Sequence, residues 1–317
     1  MTRNTLAISY GKVCIPIYRV YAAPLSQIRP IPESSFAGRE NILFALEVDV
    51  EVFGDNFLRA YTDGDNSQVV ATDSMKNFVL RQALAFDGAT LEQFLAFLGD
   101  GLLQTYPTMA GLRLTGRELP FTPVAVPQEE EGKTSFQAST VLLSRSHNDA
   151  AFAALDFTRD ATKPVLSAHR CGRTGLQLLK VTGSSFTHFI RDEFTTLEER
   201  VDRPLFIFLD LSWKYSEQAA MLSPNHAGYV PSEQVRDLAQ VVFHQFNSNS
   251  IQQLVYEMGK RILLRFPQLS EIAFAAQNRT RDQIAVSDRD SRVKVYSDPF
   301  SAYGSIHLTM GRDAEGL

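Results

Sequence analysis

The sequence predicts an α+β protein in which antiparallel sheets carry helices on one face, with the same plan laid out twice along the chain. Three observations predict it. Asn41–Phe53 (NILFALEVDVEVF) nearly alternates apolar and polar residues, the mark of a strand with one buried face. Two helical stretches follow in succession, unlike the strict strand–helix alternation of a parallel sheet. The strand, the two helices and the strand after them then recur.

Taken in order, Pro16, Pro24, Pro30 and Pro32 punctuate the start of the chain, and Ile8–Tyr21 reads as one or two short strands. In the next strand Leu43, Ala45, Glu47, Asp49 and Glu51 share one parity, with Phe44, Leu46, Val48, Val50 and Phe53 mostly on the other. The first helix starts near Thr72, whose hydroxyl can cap it, with Asp73 favourable in the first turn. Met75, Phe78, Val79 and Gln82 keep helical spacing until Asp87-Gly88 breaks it. The second helix runs from about Thr90 to Thr105, with Phe94, Phe97, Leu98, Gly101, Leu102 and Tyr106 on one stripe, and stops at Pro107. Leu112–Leu114 begins another strand, Gln128–Lys133 reads as a solvated turn, and Thr140–Ser144 as a strand.

The second half follows suit. Pro204–Tyr215 is a strand, Ser232–Phe246 a helix capped by Ser232, Ser250–Phe266 a helix ended by Pro267, and Ile272–Ala275 a strand. Thr72 matches Ser232, Phe86 Phe246, Thr90 Ser250, Gly99 Gly259, Leu103 Leu263, Tyr106 Phe266, Pro107 Pro267 and Leu112 Ile272, always 160 residues apart. The expected units are residues 1–146 and 147–317, the second with an insertion between Asn278 and Tyr303. A sheet with helices on one side leaves its other face to be covered, which an oligomer closing the sheets into a barrel would do.

Composition narrows the function. The 317 residues are 44% hydrophobic and 21% charged, ordinary for a globular protein. With 31 basic against 36 acidic residues the net charge is −5, which argues against a nucleic-acid binder. Cys14 and Cys171 make neither a disulfide framework nor a zinc cluster, and the six dispersed histidines form no HxH or HExxH pair. The start of the chain lacks the apolar run of a signal peptide, no stretch approaches ~18 apolar residues, and the last three residues are not Ser-Lys-Leu. A reducing cytoplasm and no membrane are expected, so the Asn278-Arg279-Thr280 sequon is set aside. There is no Walker A or GxSxG sequence, and Gly99-Asp100-Gly101 lies inside a helix without a third glycine.

What remains is a set of polar segments at element edges: Tyr10-Gly11-Lys12, VVATDSMKN from Val69, SSFTHFIRDEFTTL from Ser184 with Asp202-Arg203 downstream, NSIQQLVYEMG from Asn249, and Asn278 after a strand. Together, in this order and over nearly the whole chain, they resemble urate oxidase, its bacterial members above all. The resemblance implies two tunnelling-fold (T-fold) units per chain and a homotetramer enclosing a tunnel, with active sites at subunit interfaces. It implies oxidation of uric acid by O2 and water to 5-hydroxyisourate and hydrogen peroxide, with no metal and no organic cofactor.

Carried over residue by residue, Lys12 matches the catalytic lysine and Thr72 its threonine partner, expected from the neighbouring subunit. A desolvated lysine accepts protons near neutrality, and a threonine hydroxyl can relay them. Arg203 and Gln252 match the pair gripping the polar edge of the purine, where a planar guanidinium suits an anionic carbonyl edge. Phe186 matches the stacking ring, Ile251 lends a main-chain contact, and Asp73 presents its backbone N–H. Asn278 matches the residue facing the O2 or water site. Taken alone, each has a plainer reading: a surface lysine, a helix cap, a salt-bridging arginine, core Phe and Ile, a turn Asn. One position departs: where well-studied members read Asn-x-His, this chain has Thr280, which can pass a proton but cannot store one near neutrality as His can. The expected base is therefore a Lys12–Thr72 dyad, with Thr280 a weaker candidate. The alternatives are a catalytically weakened, purine-binding T-fold homologue, and a zinc-dependent tunnelling-fold enzyme related to GTP cyclohydrolase.

Overall fold

The computed structural model describes residues 6–130, 132–146, 149–160 and 163–314. Glu131 of the expected turn, His147 and the terminal Glu315–Leu317 lie outside the described residues. In chain order the elements are β1 (Ser9–Val20), β2 (Leu43–Phe53), the short α1 (Leu58–Thr62), α2 (Thr72–Ala85), α3 (Leu91–Thr105), β3 (Gly111–Glu118), β4 (Phe121–Glu130), β5 (Lys133–Arg145), β6 (Ala150–Asp160) and β7 (Lys163–Lys180). There follow β8 (Leu205–Tyr215), α4 (Ala219–Leu222), α5 (Ser232–Gln245), α6 (Ile251–Arg265), β9 (Leu269–Asn278), β10 (Gln283–Val286), β11 (Lys294–Tyr296) and β12 (Gly304–Gly311). None of these helices is long and apolar enough to cross a membrane.

Two compact units result. One comprises Met1–Arg29, Ala37–Cys171 and Glu217–Tyr229; the other Pro30–Phe36, Gly172–Ser216 and Val230–Leu317. In the first, the strand order is β1-β2-β3-β6, then the first half of β7; in the second it is the rest of β7, then β8-β9-β12. In β2, Phe44, Leu46, Val48, Val50 and Val52 are all buried, and Ala45 is the one buried residue of the other parity. Val52, not Phe53, completes the buried parity, because Phe53 falls one residue out of step and lies under the Arg113 guanidinium at 5.7 Å.

In the first unit α3 buries Leu91, Phe94, Leu95, Leu98, Gly99, Leu102 and Leu103. The buried stripe is thus rotated from the expected one, and Phe97 is 37% exposed. Gly99 sets how closely α3 approaches the sheet: a Cβ there would stand 2.4 Å from the Phe157 ring. Its repeat partner Gly259 does the same in the second unit, with a would-be Cβ 3.2 Å from Phe274.

The 160-residue offset holds at both ends of α2 and α5, and at both ends of α3 and α6. The fastenings of the helices repeat as well. Arg19 donates to the carbonyls of Ala83 (2.9 Å) and Phe86 at the end of α2, and Lys180 donates to that of Phe246 (2.9 Å) at the end of α5. Arg159 donates to the carbonyls of Leu103, Tyr106 and Met109 after α3, and Arg312 to those of Leu263, Phe266 and Leu269 after α6. Cationic side chains here satisfy carbonyls that a helix leaves without intrahelical partners.

Caps divide into two kinds. Thr90 and Ser250 accept the N–H of Gln93 and Gln253, as side-chain caps should. Thr72 and Ser232 do not cap. Each is the first residue inside its helix, behind Ala71 and Pro231, which leaves both hydroxyls available for other partners. The Gln128–Lys133 segment is also more regular than expected: β4 and β5 stay paired to Glu130↔Lys133, and Gly132 takes φ 74°.

Glu92 is buried in the first unit, where Tyr229 Oη donates to its carboxylate at 3.0 Å. Burial pushes its carboxyl from the ordinary 4.5 up to about 7; Glu118 adds to the rise, and the hydroxyl of Tyr229 and thiol of Cys171 partly offset it. A raised carboxyl stabilises the fold fully below its unfolded value, and the benefit is lost as pH climbs through the folded one. Thermal unfolding should therefore show stability falling by on the order of 3 kcal/mol between about pH 4.5 and 7 from this group. Glu92→Gln should flatten that fall; an unchanged pH profile would show that Glu92 is not its source.

Candidate functional site

The sequence-predicted residues fall into two clusters, one in each unit. The first is built on β1 and α2. In β1, Ser9–Lys12 pair with Phe53–Val50, and Ile15–Val20 pair with Val48–Leu43. Three steps from Lys12 to Ile15 thus oppose two from Val50 to Val48, which is a β-bulge. The bulge turns Lys12 onto the face of Val48 and Val50, both fully buried, which is the face α2 covers. Without the extra residue Lys12 would lie opposite Glu51 on the polar face. Gly11 is required beside it, since a Cβ there would meet the Val50 carbonyl oxygen at 1.8 Å.

Helix α2 lies along β1, held at both ends. Tyr10 Oη accepts the Val70 N–H at 2.9 Å just before the helix, and Arg19 holds its last carbonyls. Thr72 and Asp73 thereby open α2 over Lys12. The Asp73 carboxyl is exposed and held below the usual carboxylate range, chiefly by its hydrogen bond and charge pairing with Lys76 (2.6 Å), with a further lowering by the Lys12 charge. The resemblance expects Thr72 from a neighbouring subunit. Within one chain, β1 and α2 already bring the Thr72-Asp73 end of the helix to Lys12.

The second cluster surrounds Phe186. The segment Ser184–Phe186 is laced between two others: Ser185 N–H donates to the Ser248 carbonyl (2.9 Å), while Phe186 and Arg200 exchange both backbone hydrogen bonds. Arg203 N–H donates to the Ser184 carbonyl (2.8 Å), and its guanidinium lies 5.3 Å from the Phe186 ring centre. Burial pushes the Arg203 guanidinium down from its ordinary value, and its Nε is buried without a partner among the described residues. A buried donor left open in this way suits an anionic guest. The turn Asp202 holds is fixed by Thr182 Oγ1 (2.7 Å) and Gly183 N–H (2.8 Å) donating to its carboxylate. Phe189, which sequence reasoning passed over, stacks on Phe186 at 5.0 Å and 13°. His188 at φ 60° makes the reversal that brings the two rings together.

Ile251 and Gln252 open α6 behind the Ser250 cap, Ile251 buried and Gln252 exposed. A short connection joins α6 to β9, so the helix runs back antiparallel to the strand, and its first turn lies toward the Asn278 end. Asn278 continues the parity of Ile272, Phe274 and Ala276, the buried face on which α6 packs. The next residue, Arg279, is sandwiched between the rings of Phe208 (4.7 Å) and Tyr303 (3.9 Å). Thr280 follows β9, and its carbonyl accepts the Phe300 N–H at 3.3 Å.

The first cluster offers a lysine and a hydroxyl beside a helix N-terminus, a pair suited to taking and relaying a proton. The second offers an aromatic face, a guanidinium and an amide-rich helix start, suited to a flat, anionic heterocycle.

Known proteins resemble this chain over nearly its whole length. A family model described as Uricase matches residues 51–148 and 169–307. The uricase of Haloferax volcanii is 46% identical over 305 residues, covering 96% of this chain and 98% of that protein. The urate oxidase of Bacillus sp. TB-90 superposes with a TM-score of 0.92 at 41% identity, over 96% of this chain and 100% of that one. A uricase from Bacillus fastidious does so with a TM-score of 0.91 at 38% identity, over 98% and 94%.

Proposed function

Because the chain belongs to the uricase family and its activity is urate oxidation, we propose that it converts uric acid, O2 and water to 5-hydroxyisourate and hydrogen peroxide without metal or organic cofactor, using a Lys12–Thr72 base dyad. The dyad removes an N–H proton of urate. The electron-rich anion gives one electron to O2, the radicals combine to a hydroperoxide, and water replaces the departing peroxide. The protein's part is deprotonation, stacking and holding O2 close. Phe186 stacks on the ring, Arg203 and Gln252 grip its polar edge, Ile251 and Asp73 give main-chain contacts, and Asn278 orients O2 or the attacking water. Thr280 is a weaker relay candidate. The observation that carries the dyad is the bulge turning Lys12 toward the start of α2, with its charge felt at Asp73.

In the same reading the chain is two tandem T-fold units in a homotetramer closed around a tunnel in the cytoplasm. The repeated offset and fastenings support the tandem. Each site takes Lys12, Thr72 and Asp73 from one subunit, and Phe186, Arg203, Ile251, Gln252 and Asn278 from its neighbour. Co-refolding Lys12→Met with Arg203→Met subunits tests this. Each hybrid pair would hold one intact site, so about a quarter of wild-type activity should return. No recovery from a mixture shown to contain hybrids would overturn the shared site.

A further inference from the structure

We infer that Asp49 is a positioning residue for Lys12, its carboxylate fastening the bulge that turns the lysine onto the helix face. The inference rests on Lys12 being the base. A bulge adds a residue and leaves its backbone without a ladder partner, so something must hold it. Here Asp49, on the polar parity of β2, accepts the Cys14 N–H at 2.7 Å. Its other oxygen accepts from Arg117 Nη2 at 2.9 Å, and the same nitrogen reaches Glu47 at 2.9 Å. The carboxylate is therefore fixed before it meets the bulge. Cys14 takes φ 55°, a left-handed conformation unfavourable to a residue with a side chain.

The second unit contains an independent copy of the device. Gly175, at φ 81°, donates its N–H to Asp210 Oδ1 at 2.7 Å. Gly175 and Asp210 each lie 161 residues after Cys14 and Asp49, and Tyr10-Gly11-Lys12 falls on Cys171-Gly172-Arg173 at the same spacing. In that copy the outcome is visible: Arg173, the counterpart of Lys12, is buried and donates to Ser232 Oγ at 2.9 Å. Ser232 is the counterpart of Thr72. The same aspartate-held backbone thus delivers a cationic side chain to the first hydroxyl of the following helix. One copy has become an arginine–serine contact, and the other keeps the lysine and threonine the reaction uses.

The test compares Asp49→Ala, Asp49→Asn and Lys12→Met by urate kinetics across pH, with circular dichroism and thermal unfolding as controls. Asp49→Ala should lower kcat tenfold or more with KM within about twofold, and shift the pH profile of kcat, because Lys12 is displaced while the purine-gripping residues are untouched. Asp49→Asn, whose amide oxygen still accepts the Cys14 N–H, should recover most of kcat and serves where the alanine variant does not fold. A folded Asp49→Ala enzyme with lower stability but wild-type kcat and pH profile, or a folded Asp49→Asn enzyme with kcat as low as that of Lys12→Met, would overturn the inference. If Lys12→Met itself kept full activity, the assignment of Lys12 would fail instead.

Discussion

Lys12→Met is expected to lower urate turnover by about 10²–10⁴-fold, the usual contribution of a positioned general base. The fold should persist, because Lys12 forms none of the fastenings of α2, which rest on Tyr10 and Arg19. Methionine keeps the length and apolar stem of lysine and removes only the nitrogen. Thr72→Ala should lower turnover about 10–10²-fold without loosening α2, since its hydroxyl does not cap the helix. Steady-state oxygen uptake on protein of wild-type circular dichroism checks both. Full activity in both would remove the dyad from the account.

Arg203→Met is expected to raise KM for urate by about 10²-fold, as loss of a charge-assisted, planar contact should. Lysine should rescue poorly, because it restores charge without the guanidinium fork. Two features of the site sharpen the expectation. The Arg203 Nε is buried and open, and its guanidinium lies over Phe186, so ring and cation are set for one guest. Phe186→Ala should cost less, about tenfold in KM, in keeping with roughly 0.5–1.5 kcal/mol for an aromatic pair. Equilibrium binding of a non-oxidisable purine to each variant separates affinity from chemistry. Unchanged binding in Arg203→Met would sink its role at the purine edge.

The helices were legible because each announces itself locally. Thr90 and Ser250 bring their own capping partners, Pro107 and Pro267 stop the runs, and the 160-residue offset confirms one copy from the other. Strands β2 and β8 were legible as well, but β6 and β7 were not. β6 (AAFAALDFTRD) buries Ala151, Ala153, Leu155 and Phe157, but alanine carries little strand preference and hides the alternation. β7 mixes Pro, Gly and charged residues, and much of it is partly exposed, so it has no clean apolar face. Charge alone makes Gln128–Lys133 read as a turn, whereas β4 and β5 pair through this charged stretch.

The chemistry of the site was legible in its motifs, and its geometry was not. Nothing in Tyr10-Gly11-Lys12 says which face the lysine takes; that depends on register with β2. A trace was present all the same: Tyr10 and Lys12 share even parity, while Ile15 and Ile17, the buried residues of the same strand, are odd. A parity switch within one strand is what a bulge leaves in a sequence. The repeat carried a second trace, since extending it to Cys171-Gly172-Arg173 points to Asp49 through Asp210.

The central claim is cofactor-free urate oxidation with Thr280, and no histidine, two residues after Asn278. The most direct test is oxygen uptake and peroxide release by purified protein, treated with chelator and supplied with urate. The account predicts equal consumption of urate and O2, matching peroxide and no effect of the chelator. No uptake by folded protein that still binds urate, or activity lost to the chelator and restored by zinc, would contradict it.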